Sequence, residues 1–302
     1  MKVLFAGPSL TGSGWTSPRP DSELDCRGPA GQGDIARAVV DGATAIGLID
    51  GRYEDIAAIW HKEILFAIEQ GVQVFGAASM GALRAAECAD FGMIGVGAVF
   101  ERYRCGELTD DAAVAQLHAP AELDHLPLTE ALVNVEATLD HFRKLRAISA
   151  EEAKRLDRSA RALFFKDRTY ARILAHAGLD EGARGEALKR LIKSCRIDVK
   201  RQDAMLLLGY LRHLEPQRAK APADWRLEQT ATWMMTLKRA ESGAQAAAGK
   251  GEAGNGAAGN GKAPTQEQNP PARSATAPER PQPENPAPEA AYAERPDTPA
   301  TP

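Results

Sequence analysis

The sequence predicts an α/β fold in three parts: a small parallel sheet in the N-terminal half, a mostly helical C-terminal half and a disordered tail. Three observations predict it. Short, continuously apolar runs recur early in the chain, each followed by a loop and a helix-like stretch. From about residue 96 one helical pattern follows another. The last 60 residues (243–302) hold 11 of the 19 prolines and 7 of the 27 glycines, and no Leu, Ile, Val, Phe, Met, Trp or Cys.

The apolar runs are VLFA (3–6), AIGLI (45–49) and VQVF (72–75). Unbroken apolar strands that alternate with helices mark a parallel, Rossmann-like sheet covered on both faces, because the crossovers place helices there. Their spacing of about 25 to 40 residues suits βαβ units. Residues 53–70 read as the second crossover helix. At about 100° per residue, Ile56, Ala57, Trp60, Ile64 and Ile68 share one arc, with Asp55, Lys62 and Glu69 opposite. His61 lies inside that arc or at its border, and Gly71 is placed to stop the helix. After the third strand, Gly76-Ala77-Ala78 leads to Ser79, placed to cap a helix over 80–88.

Further helices are expected over 129–145, 149–164, 168–177, 185–193, 198–214 and 224–239. Ser149-Ala150-Glu151-Glu152 has the spacing of a capping box, and Thr129 and Asp198 are expected as caps. Residues 11–32, rich in Gly, Pro and Ser, are too long for an ordinary βα loop and read as a functional lid or an insertion. The organisation expected is an α/β core over 1–125, a helical region over 126–241 packed on or extending it, and a disordered tail over 242–302. With Tyr292 its only bulky apolar group, the tail cannot offset the roughly 1–2 kcal/mol per residue that ordering a backbone costs.

Charge and composition narrow the function classes. The formal charge is −4, half of it in the tail, and aromatic residues make up 6%. A near-neutral body without a basic stripe lacks the electrostatic footprint of a nucleic-acid binder, and so few aromatics make no base-stacking platform. No apolar run approaches the roughly 20 residues that span a bilayer, and none near the N-terminus is long enough for a signal-peptide core. Cys26, Cys88, Cys105 and Cys195 form no CxxC pair and suggest neither a disulfide framework nor a structural zinc site. The expectation is a cytoplasmic protein with reduced thiols, no nucleic-acid or membrane partner, no metal and no cofactor.

Ligands of an open parallel sheet bind beyond the carboxyl ends of its strands. Here those ends carry Gly7-Pro8-Ser9, Asp50-Gly51-Arg52 and Ala77-Ala78-Ser79-Met80-Gly81. The third has the form small-x-Ser-x-small between strand and helix, the context of a nucleophile elbow, in which the helix N-terminus offers amides to an oxyanion. Ser79 is therefore either a nucleophile or simply a helix cap. A serine needs a base. His61 is the first candidate, although a position about two turns into its helix sets it back from the strand ends, and a buried histidine bonded to a carbonyl is the alternative. His118, in a loop before Pro120, is the second. Asp50 orients a histidine, accepts from a substrate donor, or is an Asp-Gly turn residue. Arg84 and Glu87, at i and i+3, most simply pair with each other, while Arg84 is also suited to a carboxylate. Asp110-Asp111 reads as a solvated turn or cap. Gly7-Pro8-Ser9-Leu10-Thr11-Gly12 lacks the lysine and spacing of a phosphate loop, which makes a nucleotide-binding regulator the weakest reading.

Several strings together resemble the TfuA-like protein family: VLFAGPSL at 3–10, IGLIDG at 46–51, WHKEIL at 60–65, VFGAASMGALRAAE at 74–87, FGM at 91–93, TDD at 109–111 and FKDRT at 165–169. The resemblance covers about residues 1–170. It implies work beside a YcaO-type protein, which uses ATP to activate a backbone amide of a ribosomally made peptide so that sulfur replaces the carbonyl oxygen. The TfuA-like partner would supply that sulfur by hydrolysing the C-terminal thiocarboxylate of a small ThiS-like carrier, and would help YcaO hold its precursor peptide. The motif positions carried over are Asp50, His61, Lys62, Ser79 and Arg84. The expected site thus comprises Ser79, His61 and Asp50 as catalytic residues, with Ser9, Lys62, Arg84 and His118 binding substrate. The competing class is a non-enzymatic adaptor in which Lys62 and Arg84 only neutralise the carrier's terminal carboxylate.

Overall fold

A computed structural model describes residues 1–15, 24–54 and 56–252. The expected lid at 11–32 lies partly, and the tail beyond 252 wholly, outside the described residues. Five strands are formed: β1 (Lys2–Phe5), β2 (Leu24–Arg27), β3 (Ala45–Leu48), β4 (Gln73–Ala77) and β5 (Ile94–Val96). Every pairing is parallel, and the strand order is β2-β1-β3-β4-β5. In this doubly wound order the chain turns left from β1 to β2 and then crosses right to β3, so the switch point lies between β1 and β3. The helices between strands are α1 (Asp34–Val40), α2 (His61–Glu69) and α3 (Met80–Cys88); α4 (Ala98–Arg104) follows β5.

The two edge strands were not legible as strands. β2 falls in the stretch expected to be a lid or insertion, and its sequence LDCR carries two charges on a half-exposed edge. β5 is three residues long. An edge strand needs no apolar run, because only one side of its ladder is paired and its outer face meets water.

From β2 onward each crossover steps in the same direction across the sheet, and right-handed connections then place α1, α2 and α3 on one face. Strand residues with period 2 meet them there: Val3, Phe5, Ile46, Leu48 and Val74 pack with Ile35, Val39, Ile64, Ile68 and Ala85. The opposite face presents Leu4, Ala45, Phe75 and Ala77, and it is covered from far along the chain by α9 (Val199–His213) through Ala204, Leu207, Leu208 and Leu211. The second face is therefore not covered by crossover helices, as the strand pattern suggested, but by the helical half.

That half comprises α5 (Leu132–Lys144), α6 (Ala150–Ala162), α7 (Tyr170–His176), α8 (Gly182–Cys195), α9 and α10 (Ala231–Glu252). Ser149 and Glu152 form the expected capping box on α6, and the Asp198 side chain caps α9 by accepting from the Arg201 amide at 2.9 Å. Thr129 caps nothing: α5 begins at Leu132, and the Thr129 hydroxyl accepts from the Leu117 amide at 2.8 Å. α10 starts later than expected, runs to Glu252 and buries Trp233 against α1. No helix among the described residues is long and apolar enough to cross a membrane.

Candidate active site

The second crossover helix begins at His61, not at Tyr53. The physical reason is Glu63. Its buried carboxylate accepts from the Trp60 amide at 3.3 Å, which fixes the helix start, and from the Gly33 and Ala36 amides at 2.9 and 3.4 Å, which satisfies the N-terminus of α1. Residues 53, 54 and 56–60 are thereby released from helix, and Tyr53, Glu54 and Ala58 line a crevice of about 330 Å³.

This crevice lies beyond the carboxyl ends of β1, β3 and β4. Pro8, Asp50, Ser79, Met80, Arg84, Gln116, His118, Lys166 and Lys200 are among its walls. Four of the seven residues expected from sequence are brought together in it: Asp50, Ser79, Arg84 and His118. Ser9 lies directly behind, buried against Asp50. His61 and Lys62 do not line it. His61 is exposed and hydrogen-bonds Glu87 through Nε2 at 2.9 Å, and Lys62 donates to the Glu228 carbonyl at 3.0 Å and the Thr230 hydroxyl at 3.2 Å, docking the approach to α10. The expected Ser79–His61 pairing is thus not formed.

Ser79 sits where β4 turns into α3. The turn is tight: the Ser79 amide donates to the Ala77 carbonyl at 2.7 Å across Ala78, whose φ is +66°. A three-residue turn of this hand on a residue with a side chain is strained and uncommon. It lifts Ser79 out of the strand's hydrogen-bonding plane. The small residues have a packing cause, since a Cβ on Gly81 would stand 1.8 Å from the Leu48 carbonyl oxygen. Ser79 occupies the N-cap position of α3, as the cap reading expected, but its side chain makes no cap hydrogen bond. Neither the Ser79 hydroxyl nor the Met80 amide has a hydrogen-bond partner among the described residues. A hydroxyl followed by a free amide at a helix N-terminus is the arrangement of a nucleophile and one oxyanion donor.

His118 donates from Nδ1 to the Ala119 carbonyl at 2.8 Å. A carbonyl can only accept, so the neutral ring carries its lone pair on Nε2, the nitrogen a general base needs. His118 stacks edge-on against His125 at 5.3 Å, and burial, followed by the proximity of His118, pushes the His125 pKa down. Asp50 does not reach a histidine. Its Oδ2 accepts from the Gly7 and Ser9 amides at 2.9 and 3.0 Å and its Oδ1 from the Ser9 hydroxyl at 2.7 Å, so it ties the ends of β1 and β3 across the switch point. Arg84 forms the expected pair with Glu87 at 2.5 Å and donates to the Ile59 carbonyl at 3.2 Å. Although partial burial opposes it, hydrogen bonds from His61 and Arg84 hold the Glu87 carboxyl below its ordinary range. Burial and a hydrogen bond to Asp111 push the Tyr53 phenol up to about 12.

Lys200 is among the wall residues that were not expected from the sequence. It is 1% exposed, and its ammonium donates to the Val114 carbonyl at 2.9 Å and to Gln116 Oε1 at 2.6 Å. Burial pushes its pKa down, against the charge of Asp50. The available signal was its place in α9: residues 200, 203, 204, 207, 208 and 211 form the buried stripe, so a lysine occupied a core position of an amphipathic helix. Asp110 accepts from the Ala112 amide, as expected of a turn cap, and no group of three His, Cys, Asp or Glu side chains converges among the described residues.

No curated protein matches this chain significantly. Residues 50–169, which supply most of the crevice and the Ser79 turn, match the family model of TfuA-like proteins, and over that segment the chain is TfuA-like.

Proposed function

We propose that this protein is a TfuA-like accessory factor that releases sulfide by hydrolysing a protein C-terminal thiocarboxylate, and that it works beside a YcaO-type protein in peptide backbone thioamidation. The observation that carries the hydrolase reading is the Ser79 turn: a hydroxyl unspent on capping, followed by the unpaired Met80 amide, in a crevice shared with His118. Ser79 Oγ attacks the thiocarboxylate carbon while His118 Nε2 takes the hydroxyl proton. The Met80 amide receives the developing oxyanion at the α3 N-terminus. Collapse of the tetrahedral adduct breaks the carbon–sulfur bond, and the proton held on His118 passes to sulfur, so that hydrosulfide leaves and an acyl-serine remains. Water, deprotonated by His118, then attacks the ester, returning the serine and a carboxylate. The net change is one water consumed, with thiocarboxylate converted to carboxylate and hydrogen sulfide.

The experiment is sulfide release from a thiocarboxylated ThiS-like carrier, assayed without YcaO. Loss of release in a folded Ser79→Ala protein is the expected result. An undiminished rate in that variant would rule out the serine, and no release by the wild-type protein, with carrier binding intact, would favour the adaptor. The YcaO-type partner is tested by co-purification with this chain and by stimulation of precursor-peptide modification.

A further inference from the structure

The buried ammonium of Lys200 lines the crevice and takes no part in this chemistry. Three cations line the crevice, and two are already matched to carboxylates: Arg84 to Glu87, and Lys166 to Glu54 at 2.5 Å. Lys200 has no carboxylate within salt-bridge distance among the described residues. Asp50 contributes only through space, since its oxygens are occupied by Gly7 and Ser9. An ammonium has three N–H donors, and those of Lys200 account for two, on Val114 and Gln116. Removing such a charge from water costs several kcal/mol unless it is fully partnered. Asp203, the other charged residue of the same buried stripe, is fully explained by the fold, because it accepts from the Ala98 and Val99 amides at the start of α4 at 2.9 and 2.8 Å. Lys200 is held by two neutral oxygens, with one N–H left over at the wall of a cavity.

We propose that Lys200 is the anion-reading residue of the crevice: its remaining N–H binds the carboxylate or thiocarboxylate at the end of an extended peptide tail, selecting a free C-terminus over an amidated or internal one. This rests on the hydrolase reading only for the identity of the acyl group. It also gives the helical half a part in specificity, since α9 lies outside the TfuA-like segment 50–169, whose own crevice cations, Arg84 and Lys166, are already paired with carboxylates.

The test uses full-length protein carrying Ser79→Ala, so that binding is separated from turnover. Its probe is a fluorescein-labelled decapeptide ending in Gly-Gly, prepared as the free acid and as the C-terminal amide. The acid is expected to bind at least about tenfold more tightly than the amide, the size of a hydrogen bond to a charged group. Adding Lys200→Met is expected to bring that ratio to about one, and Lys200→Arg to retain part of it. A preference that survives Lys200→Met overturns the proposal. Should Lys200→Met not fold, the parent protein decides alone, because an acid-to-amide ratio near one overturns the proposal just as firmly. Absent sulfide release from wild-type protein, with the Lys200-dependent preference intact, would count against the hydrolase reading and not against this one.

Discussion

The Ser79 turn and the segment from Trp60 to Glu63 lie in neighbouring crossovers of the same sheet, and both belong to the strings that carry the family resemblance. Their polar side chains have opposite fates. In the second segment everything is spent on the fold: Glu63 holds three backbone amides, Lys62 docks the approach to α10, and His61 pairs with Glu87. At Ser79 the hydroxyl and the following amide are left over, beside a cavity. A motif residue is therefore a poor guide to chemistry until its hydrogen bonds are accounted for. A side chain already satisfied by backbone has little left to offer a substrate, whereas one held in strained backbone with no partner has been kept for something else.

The comparison is most easily broken with paired substitutions. Ser79→Ala is expected to lower sulfide release by on the order of 10³-fold or more, and His118→Ala by about 10²-fold or more, each with an unchanged melting temperature. His61→Ala is expected to change the rate by less than about threefold, because its ring is an exposed partner of a glutamate that Arg84 also holds. Steady-state sulfide assays on the three proteins decide it. A loss in His61→Ala as large as in His118→Ala would reverse the assignment of the base and require α2 to move toward the crevice.

The three central strands were legible because their residues are buried on both faces, and this leaves an unbroken apolar run. The edges were not, since β2 and β5 meet water and carry no such signal. The Ser79 elbow was legible because tight strand-to-helix packing demands small residues at fixed offsets, and Gly81 against Leu48 is that demand made visible. The α2 boundary was misread: Ile56 and Ala57 continue the helical periodicity, and only the distant partners of Glu63 reveal where the helix starts. His118 and Lys200 reach the crevice through tertiary folding from separate parts of the chain. Periodicity reports which face a residue occupies, not which cavity that face closes, so Lys200 was visible only as a charge out of place.

A scaffold residue should fail differently from a site residue, and Glu63 sharpens that contrast. Truncating it leaves the buried Ala36 amide and the part-buried Gly33 and Trp60 amides without their acceptor. Glu63→Ala is expected to cost about 2–3 kcal/mol of stability, read as a lowered urea midpoint. The fraction that remains folded should keep its rate per molecule. Were the rate to fall with stability unchanged, Glu63 would belong to the site and the division between the two segments would not hold.

The smallest effect expected lies in the helical half, at Glu152. Its carboxylate accepts from the Ser149 amide at 2.8 Å and from Arg184 of α8 at 2.6 and 2.7 Å, which clips α6 to α8. The Arg184 hydrogen bonds hold its pKa down to about 2, against an ordinary value of 4.5. A carboxyl depressed by folding stabilises the native state above its unfolded pKa, and that contribution is lost as the pH falls through the folded one. The window is therefore about pH 4.5 down to about 2. Arg184 is half exposed, so solvent screens the pair and its worth is only about 0.5–1 kcal/mol. Urea midpoints of wild type and Glu152→Gln should differ by that amount near pH 6, converge as the pH approaches 2, and differ less in high salt. Sulfide release near neutral pH should be the same in both, because neither Glu152 nor Arg184 lines the crevice.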